Sequence, residues 1–192
     1  MLSVLLRSML FAVPALCLVS GCAIRPRPAP VPPPAATPIA KVESYWKGAT
    51  GKGSASIVIR LGQQRAFFYK GKELAGVSKI STGRKGFDTP TGTYKVIQKD
   101  KDHVSSLYGD YVSADGGVVK SNVDSRKDRA PSGSRFKGAS MPYFLRFYAG
   151  YGLHAGRVPN WRASHGCVRL PSFMARHFFE NASRGTPVKV LP

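Results

Sequence analysis

The order of apolar and polar residues predicts a C-terminal region built from short strands. Runs rich in β-branched and aromatic residues are typical of strands. They occur at Ser56–Leu61, Arg65–Tyr69, Leu74–Ser81, Thr93–Gln98, Tyr143–Tyr148, Tyr151–Ala155 and Val188–Leu191. One run, Ser172–Ala182, has helical spacing, and its first serine is a candidate N-cap. The pattern therefore predicts a mostly β domain with one packed helix.

The segment from Lys99 to Ala139 departs from this pattern because it is charged, rich in glycine and only weakly periodic. It is long for a plain loop, and long loops in compact domains are usually functional or mobile. We interpret it as a functional loop that caps a groove and contacts a substrate there.

The start of the chain has the pattern of an export signal. Ser8–Val19 is an apolar run of about twelve residues that follows a single positive charge at Arg7. It is too short for a comfortable transmembrane helix and fits the apolar region of a signal peptide. Val19-Ser20-Gly21-Cys22 resembles the bacterial lipobox, and this resemblance implies cleavage before Cys22 and acylation of that cysteine. The alternative is an ordinary signal peptide that is cleaved without acylation.

A proline-rich stretch follows, with seven prolines among the fourteen residues of Arg25–Pro38. Proline removes amide donors and fixes φ, so we expect an extended spacer without a core. The chain is thus expected to divide into a lipoprotein signal peptide (1–21), a tether that carries the lipidated Cys22 (22–52) and a folded domain (53–192). Residue 23 is alanine rather than aspartate, which favours the outer membrane, with the domain facing the periplasm.

The charge of the chain points to an anionic partner. There are 29 Lys+Arg residues against 10 Asp+Glu, a formal net charge of +19. Charge alone suggests nucleic acid, but export separates the protein from nucleic acid and no recognised binding motif is present. Anionic lipid headgroups and carboxylate-bearing polymers are the expected partners. A hydrophobic content of 43% excludes a wholly disordered chain.

The positions of the three cysteines single out one of them. Cys17 is expected to leave with the signal peptide and Cys22 to be acylated, so Cys167 is the remaining thiol. A lone thiol outside the cytoplasm is prone to oxidation unless it has a function. His165 lies two residues before Cys167 and His154 thirteen residues before it, and an imidazole can accept a thiol proton. The alternative is a buried structural cysteine with two incidental histidines.

The residue before the thiol completes the parts of a covalent acyl-transfer site. Gly166 has no side chain, so its N–H and that of Cys167 are expected to face a developing oxyanion. A zinc site formed by His154, His165 and Cys167 is an alternative on ligand type. However, no His-Glu-x-x-His helix is present, and one residue separates His165 from Cys167. We expect neither a metal nor another cofactor.

These residues also carry a resemblance to a known family. His154 together with Ser164-His165-Gly166-Cys167-Val168-Arg169-Leu170 resembles the catalytic signature of the L,D-transpeptidases with a YkuD-type domain. Further similarity lies in Ser81-Thr82-Gly83, Thr89-Pro90-Thr91-Gly92-Thr93-Tyr94 and Gly185-Thr186-Pro187-Val188. The resemblance covers roughly residues 54 to 192 and implies a β-sandwich-like fold.

The resemblance also implies roles for individual residues. Cys167 would be the nucleophile and His154 its base. Ser164, His165 and Gly166 would support the site, with the amides of residues 166 and 167 as the oxyanion hole. Arg169 would organise the loop or bind a substrate carboxylate, and a structural salt bridge is the alternative for its side chain. The other two histidines, at positions 103 and 177, are assigned no role.

The implied reaction is acyl transfer on peptidoglycan stem peptides. Cys167 would attack the L,D bond before the terminal D-alanine of a tetrapeptide stem and form a thioester. An amine would then resolve the thioester, which gives a 3–3 cross-link, D-amino-acid exchange or lipoprotein attachment. One alternative is a hydrolase of the same fold that trims stems or releases wall-linked protein. Another is a wall-binding lipoprotein without catalysis.

Overall fold

The computed structural model describes residues 43–192, and within them it has thirteen strands and one helix. The strands are β1 (Tyr45–Trp46), β2 (Ala55–Arg60), β3 (Arg65–Lys70), β4 (Glu73–Lys79), β5 (Gly92–Lys95), β6 (Gln98–Asp100), β7 (Val104–Val112), β8 (Val118–Asp124), β9 (Arg135–Ser140), β10 (Phe144–Tyr148), β11 (Tyr151–Ala155), β12 (Val168–Leu170) and β13 (Pro187–Leu191). The helix is α1 (Ser172–Asn181). The predicted mostly β domain with one helix is confirmed. Over the same range no helix is long and apolar enough to cross a membrane.

The strands form three sheets. The first has six strands in the order β1-β4-β3-β2-β13-β5, the second has four in the order β12-β11-β10-β6, and the third has three in the order β8-β7-β9. Strand β13 lies inside the first sheet, parallel to β2 and antiparallel to β5. The last strand of the chain therefore completes a sheet that begins more than a hundred residues earlier.

One apolar core is shared by the two larger sheets and the helix. Its largest fully buried side chains include Phe68, Leu145, Leu153, Leu170, Met174 and Phe178. The ring of Phe178 meets that of Phe68 edge to face at 5.1 Å, which joins α1 to the six-stranded sheet. Burial of this apolar surface is the main force that holds the two sheets together.

The ends of α1 are held differently from the prediction. The N-cap residue is Pro171, and no side chain caps this end, so the predicted capping role of Ser172 is wrong. At the other end, the Lys99 ammonium donates to the carbonyls of Phe179 at 2.6 Å and Ala182 at 2.5 Å. A cation at this end also suits the helix dipole.

The folded domain begins earlier than predicted. Tyr45 and Trp46 lie in the range assigned to the tether, yet they pair with Val77 and Gly76 of β4. The Trp46 ring also stacks on His177 at 4.8 Å. Strand β1 therefore lies before the predicted boundary at residue 52 and adds an edge strand to the first sheet. The predictions for the signal peptide, for Cys22 and for residues 22–42 of the tether lie outside the described residues.

The charged segment 99–139 is mostly strand rather than loop. Strand β7 pairs with both β8 and β9 in an antiparallel three-stranded sheet. A Cβ at Gly109 would lie 2.1 Å from the Lys137 carbonyl oxygen, so glycine is required where β7 and β9 approach each other. Most of β8 is exposed on both faces, which explains why this segment lacks a clear hydrophobic period.

Candidate active site

A cavity of about 670 Å³ gathers nearly all the predicted site residues. The catalytic segment 164–169 and strand β11 line one side, and the three-stranded sheet lines another. Of the predicted residues, those that line the cavity are His154, Ser164, His165, Cys167 and Arg169. The segment 99–139 thus forms a wall of the groove, as a sheet rather than a loop.

The backbone of segment 81–83 fixes the catalytic segment in place. Gly83 forms a parallel bridge with Ser164, and Ser81 forms an antiparallel bridge with Arg169. Ser81 and Arg169 exchange both backbone hydrogen bonds at 3.0 Å. Cys167, the predicted nucleophile, therefore lies in a short turn whose two ends both pair with the same extended segment.

Thr89 supports this turn from below. Its side chain is buried, and its Oγ1 donates to the Gly166 carbonyl at 2.7 Å and accepts from the Gly83 N–H at 3.0 Å. A Cβ at Gly83 would lie only 1.9 Å from the Phe87 carbonyl oxygen, so glycine is required there. The motif that begins at Thr89 is visible in the sequence, but nothing in the sequence indicates that the Thr89 side chain contacts the catalytic segment.

The predicted oxyanion hole is only partly available. Gly166 has φ +116, and a Cβ there would lie 2.6 Å from the Tyr151 ring. Its N–H donates to Ser164 Oγ at 3.0 Å, and that hydroxyl in turn donates to the Cys167 carbonyl. The expectation of a free Gly166 N–H is therefore wrong, because Ser164 occupies it. The Cys167 N–H makes no hydrogen bond within residues 43–192 and remains available.

Cys167 rests as a thiol. Its Sγ lies 3.6 Å from the Gly150 carbonyl oxygen, which accepts the S–H. Burial raises the pKa of the thiol, while a backbone contact and the charges of Arg146 and Arg169 act weakly in the opposite direction. A thiol in this state needs a base before it can attack a carbonyl.

His154 has the properties of that base. Its ring is 6% exposed, and Nδ1–H donates to the Ala155 carbonyl at 2.8 Å, which leaves Nε2 unprotonated. The pKa of His154 is lowered to about 4, mainly by burial; the hydrogen bond to the Ala155 carbonyl acts in the opposite direction, and the charges of Arg169 and His103 add to the lowering. The ring is therefore neutral at neutral pH and ready to accept a proton.

His165 is held in a different way. Its Nε2 accepts a hydrogen bond from the Arg84 guanidinium at 2.8 Å. The ring stacks on Tyr108 at 4.3 Å and meets the edge of Phe87 at 4.9 Å. Burial, followed by the charges of Arg84 and Arg169, lowers the pKa of His165 to about 4. The acceptor nitrogen of His165 is therefore occupied by Arg84. The stack on Tyr108 of β7 joins the catalytic segment to the three-stranded sheet.

Arg169 presents its guanidinium to the cavity. The side chain packs on Gly156, where a Cβ would lie 3.3 Å from its Cγ and Cδ. Within residues 43–192 the guanidinium makes neither an ion pair nor a hydrogen bond, so the alternative of a structural salt bridge is not observed. Burial lowers the pKa of Arg169. An unpaired, partly buried guanidinium suits a carboxylate.

The zinc alternative finds no geometric support in the part of the chain that the structure describes. There, no group of three His, Cys, Asp or Glu side chains is placed to hold a metal ion. A second concavity, of about 950 Å³, has Trp161 and Arg162 in its wall and is lined by neither cysteine nor histidine.

Comparison with known proteins agrees with this geometry. The family profile described as YkuD, L,D-transpeptidase catalytic domain, matches residues 54–190. The chain belongs to this family. The expected resemblance is therefore confirmed.

Individual relatives are distant. The probable L,D-transpeptidase YbiS of Escherichia coli is 28% identical over 141 residues, which cover 70% of this chain and 44% of YbiS. The chain thus spans less than half the length of this curated relative. A crystal structure of an L,D-transpeptidase from Stackebrandtia nassauensis has a TM-score of 0.54 at 21% identity and covers 74% of this chain and 57% of that one. The structure of LdtMt1 in complex with imipenem has a TM-score of 0.56 at 18% identity, over 72% and 59% of the two chains. These structures show that the chain shares their fold.

Proposed function

We propose that this protein is a peptidoglycan L,D-transpeptidase with Cys167 as nucleophile and His154 as base. One observation carries the proposal: a protonated thiol and a neutral, oriented imidazole line the same cavity. The cavity wall also holds Arg146, Arg157 and Arg169. A cationic wall of this kind suits the carboxylates of a stem peptide.

Acylation begins with proton transfer from the thiol to Nε2 of His154 as the sulfur attacks the carbonyl carbon of the L,D bond. The Cys167 N–H donates to the developing oxyanion. The bond to the terminal D-alanine then breaks, and His154 gives its proton to the leaving amine. A thioester on Cys167 remains, and His154 is neutral again.

The second step transfers the acyl group to an amine. The nitrogen attacks the thioester carbonyl, the carbon–sulfur bond breaks, and a proton passes through His154 to the Cys167 sulfur. The acceptor is the side-chain amine of a second stem, a free D-amino acid or a lipoprotein lysine. Water as acceptor would make the protein a hydrolase. Arg169 binds a carboxylate of the donor stem, while Ser164, His165 and Gly166 hold the turn that carries the nucleophile.

The test is incubation of purified protein with tetrapeptide muropeptides, followed by mass spectrometry of the products. We expect 3–3 dimers together with released D-alanine from the wild type, and no product above background from Cys167→Ala. An unfolding transition like that of the wild type would verify that the variant is folded. Undiminished dimer formation by Cys167→Ala would contradict the proposal, and stem trimming without amine products would identify a hydrolase.

A carbapenem separates catalysis from mere wall binding. A structural relative has been solved with imipenem, and we expect imipenem to form a covalent adduct at Cys167. Mass spectrometry of the intact protein should show the added mass in the wild type and not in Cys167→Ala. A non-catalytic binder would acquire no adduct.

We also propose that the protein is anchored in the bacterial cell envelope through Cys22, at the periplasmic face of the outer membrane. The lipobox-like Val19-Ser20-Gly21-Cys22 and the proline-rich stretch after it support this location. Metabolic labelling with an alkyne fatty acid should mark the wild type and not Cys22→Ala. Equal labelling of both proteins would contradict the anchor.

A further inference from the structure

His103, to which the sequence assigns no role, is oriented by a carboxylate beside the catalytic cavity. His103 lies in the turn between β6 and β7, and its Nδ1–H donates to Asp100 Oδ2 at 2.9 Å. Its ring stacks on Phe144 at 4.2 Å with an interplanar angle of 11°. The imidazole is therefore fixed both by one nitrogen and by one face.

The ring of His103 opens onto the cavity of the nucleophile. His103 lines it together with His154 and Cys167. Phe144, on which it stacks, also lies 6.2 Å from the His154 ring between centroids. The side chain keeps 17% of its surface exposed, and Nε2 makes no hydrogen bond within residues 43–192. A nitrogen without a partner in the described chain thus remains on a ring that faces the reaction space.

His154 and His103 have different partners. His154 donates to a neutral carbonyl, whereas His103 donates to the Asp100 carboxylate. The Asp100 carboxylate holds the ring by Nδ1, so Nε2 is the nitrogen that remains free to accept a proton. The charged and titratable groups around the His103 ring are the Asp100 carboxylate, the Arg146 guanidinium, which lies 5.1 Å from the Phe144 ring, and His154.

The proposed transfer step, on which this inference rests, needs a second base. A primary side-chain amine has a pKa of about 10.4 and arrives as an ammonium ion at neutral pH. It must lose one proton before its nitrogen can attack and another when the carbon–nitrogen bond forms. His154 can return only one of the two protons to the Cys167 sulfur.

We propose that the Asp100–His103 pair is the base that deprotonates the incoming acceptor. Nε2 of His103 accepts one proton from the ammonium ion and later releases it to water. The resulting free amine attacks the thioester carbonyl, and the carbon–sulfur bond breaks. His154 accepts the second proton from the new amide nitrogen and passes it to the sulfur of Cys167.

The experiment compares two acceptors in wild type and His103→Gln. One acceptor is a muropeptide with an ammonium side chain, and the other is hydroxylamine, which is uncharged at neutral pH. Thioester formation is followed separately by adduct formation with imipenem. In His103→Gln we expect thioester formation within about twofold of wild type, transfer to the ammonium acceptor at least tenfold slower, and hydroxylamine transfer unchanged. The defect should shrink as the pH rises towards the pKa of the amine.

Two carboxylate variants form a matched pair. Asp100→Asn removes the partner of His103 and should reproduce the acceptor-specific defect in weaker form. Asp102→Asn makes the same charge change on an exposed residue of the same turn that has no side-chain contact with His103, and it should behave like wild type. An equal loss with both acceptors in His103→Gln, or no loss with either, would overturn the inference. Absence of amine products from the wild type would instead overturn the proposed transferase function.

Discussion

The two walls of the catalytic cavity differ in how deeply their apolar side chains are buried. On one side, His154 and Cys167 are next in sequence to Leu153 and Val168, core residues at most 1% exposed. On the other, the three-stranded sheet exposes Val118 and Val119 at 61% and 51%. His154 and Cys167 thus lie next to the main core, whereas the buried apolar residues of the facing sheet, Tyr111, Val112 and Val123, lie outside that core. Regions with few buried apolar contacts open at the lowest free-energy cost.

The walls meet through a small aromatic cluster. Tyr108 of β7 stacks on His165 of the catalytic segment, and Phe87 meets the edges of both rings. The Arg126 guanidinium also lies over the Tyr108 ring at 5.7 Å. The difference between the walls implies that changes on the core side alter chemistry or folding, whereas changes on the sheet side alter substrate affinity.

The largest effect is expected from the base on the core side. His154→Gln removes the acceptor of the thiol proton, and we expect thioester formation to slow by about 10²–10⁴-fold. The measurement is the rate of imipenem adduct formation. His177→Gln, on α1 and outside the cavity, is the control and should retain wild-type activity. Equal rates of adduct formation in the two variants would show that His154 is not the base.

Next, the two walls should lose stability in different pH ranges as the solution is acidified. The pKa of His154 is about 4 in the folded protein against 6.5 ordinarily, so the unfolded chain binds the proton first as the pH falls. The stability from burying the neutral ring is complete above pH 6.5 and is lost as the pH falls towards 4, by on the order of 3 kcal/mol. The pKa of Asp124, in the three-stranded sheet, is lowered to about 2 from 3.8 by its hydrogen bond to Arg126. Its contribution is therefore lost only below pH 3.8.

Urea unfolding at a series of pH values measures where His154 and Asp124 each lose their contribution to stability. The free energy of unfolding of the wild type should fall between pH 6.5 and 4, and the slope should be shallower in His154→Gln. Asp124→Asn should leave that slope unchanged, because its window lies lower. Identical slopes in wild type and His154→Gln would contradict the assignment.

A comparable loss of stability is expected beneath the catalytic segment. Thr89→Val keeps the shape of the side chain but leaves the Gly83 N–H and the Gly166 carbonyl without their partner. Each buried group left unsatisfied costs about 1–3 kcal/mol. Urea unfolding measures this cost, and Thr91→Val, in the same motif but exposed, is the control. Equal unfolding free energies for the two variants would show that Thr89 does not support the turn.

The smallest effect belongs to the contact between the walls. Tyr108→Ala removes a stacked ring worth about 0.5–1.5 kcal/mol, so KM for a muropeptide should rise about two- to tenfold with kcat little changed. Tyr108→Phe keeps the ring and loses only the hydroxyl that accepts from Arg126 at 3.1 Å. If both variants weaken binding equally, the Tyr108 hydroxyl and its hydrogen bond to Arg126, rather than the stack on His165, sustain binding.

The same contrast explains what the sequence could and could not predict. Strands β2, β3, β10 and β11 contribute to the main core, so their apolar runs are visible in the sequence. Strands β7 to β9 have exposed faces and required glycines such as Gly109, so no hydrophobic period marks them. Strand β1 has only two residues, which is too short for any periodicity to identify.

The site was predictable as far as its chemistry is local. Cys167, His154 and their neighbours are recognisable because the signature is nearly continuous. The Gly166 amide was assigned wrongly because a sequence does not show that Ser164 turns back to accept from it. Thr89 and His103 were missed because their roles depend on contacts between distant segments.

The placement of β13 inside the six-stranded sheet has a consequence for how the domain is made. Until Pro187–Leu191 has been synthesised, β2 and β5 have no strand between them, and two edges with unpaired backbone groups stay open. Pairing across so long a stretch of chain is slow to form because of its loop-closure entropy. The six-stranded sheet therefore stays incomplete until β13 has paired with both neighbours.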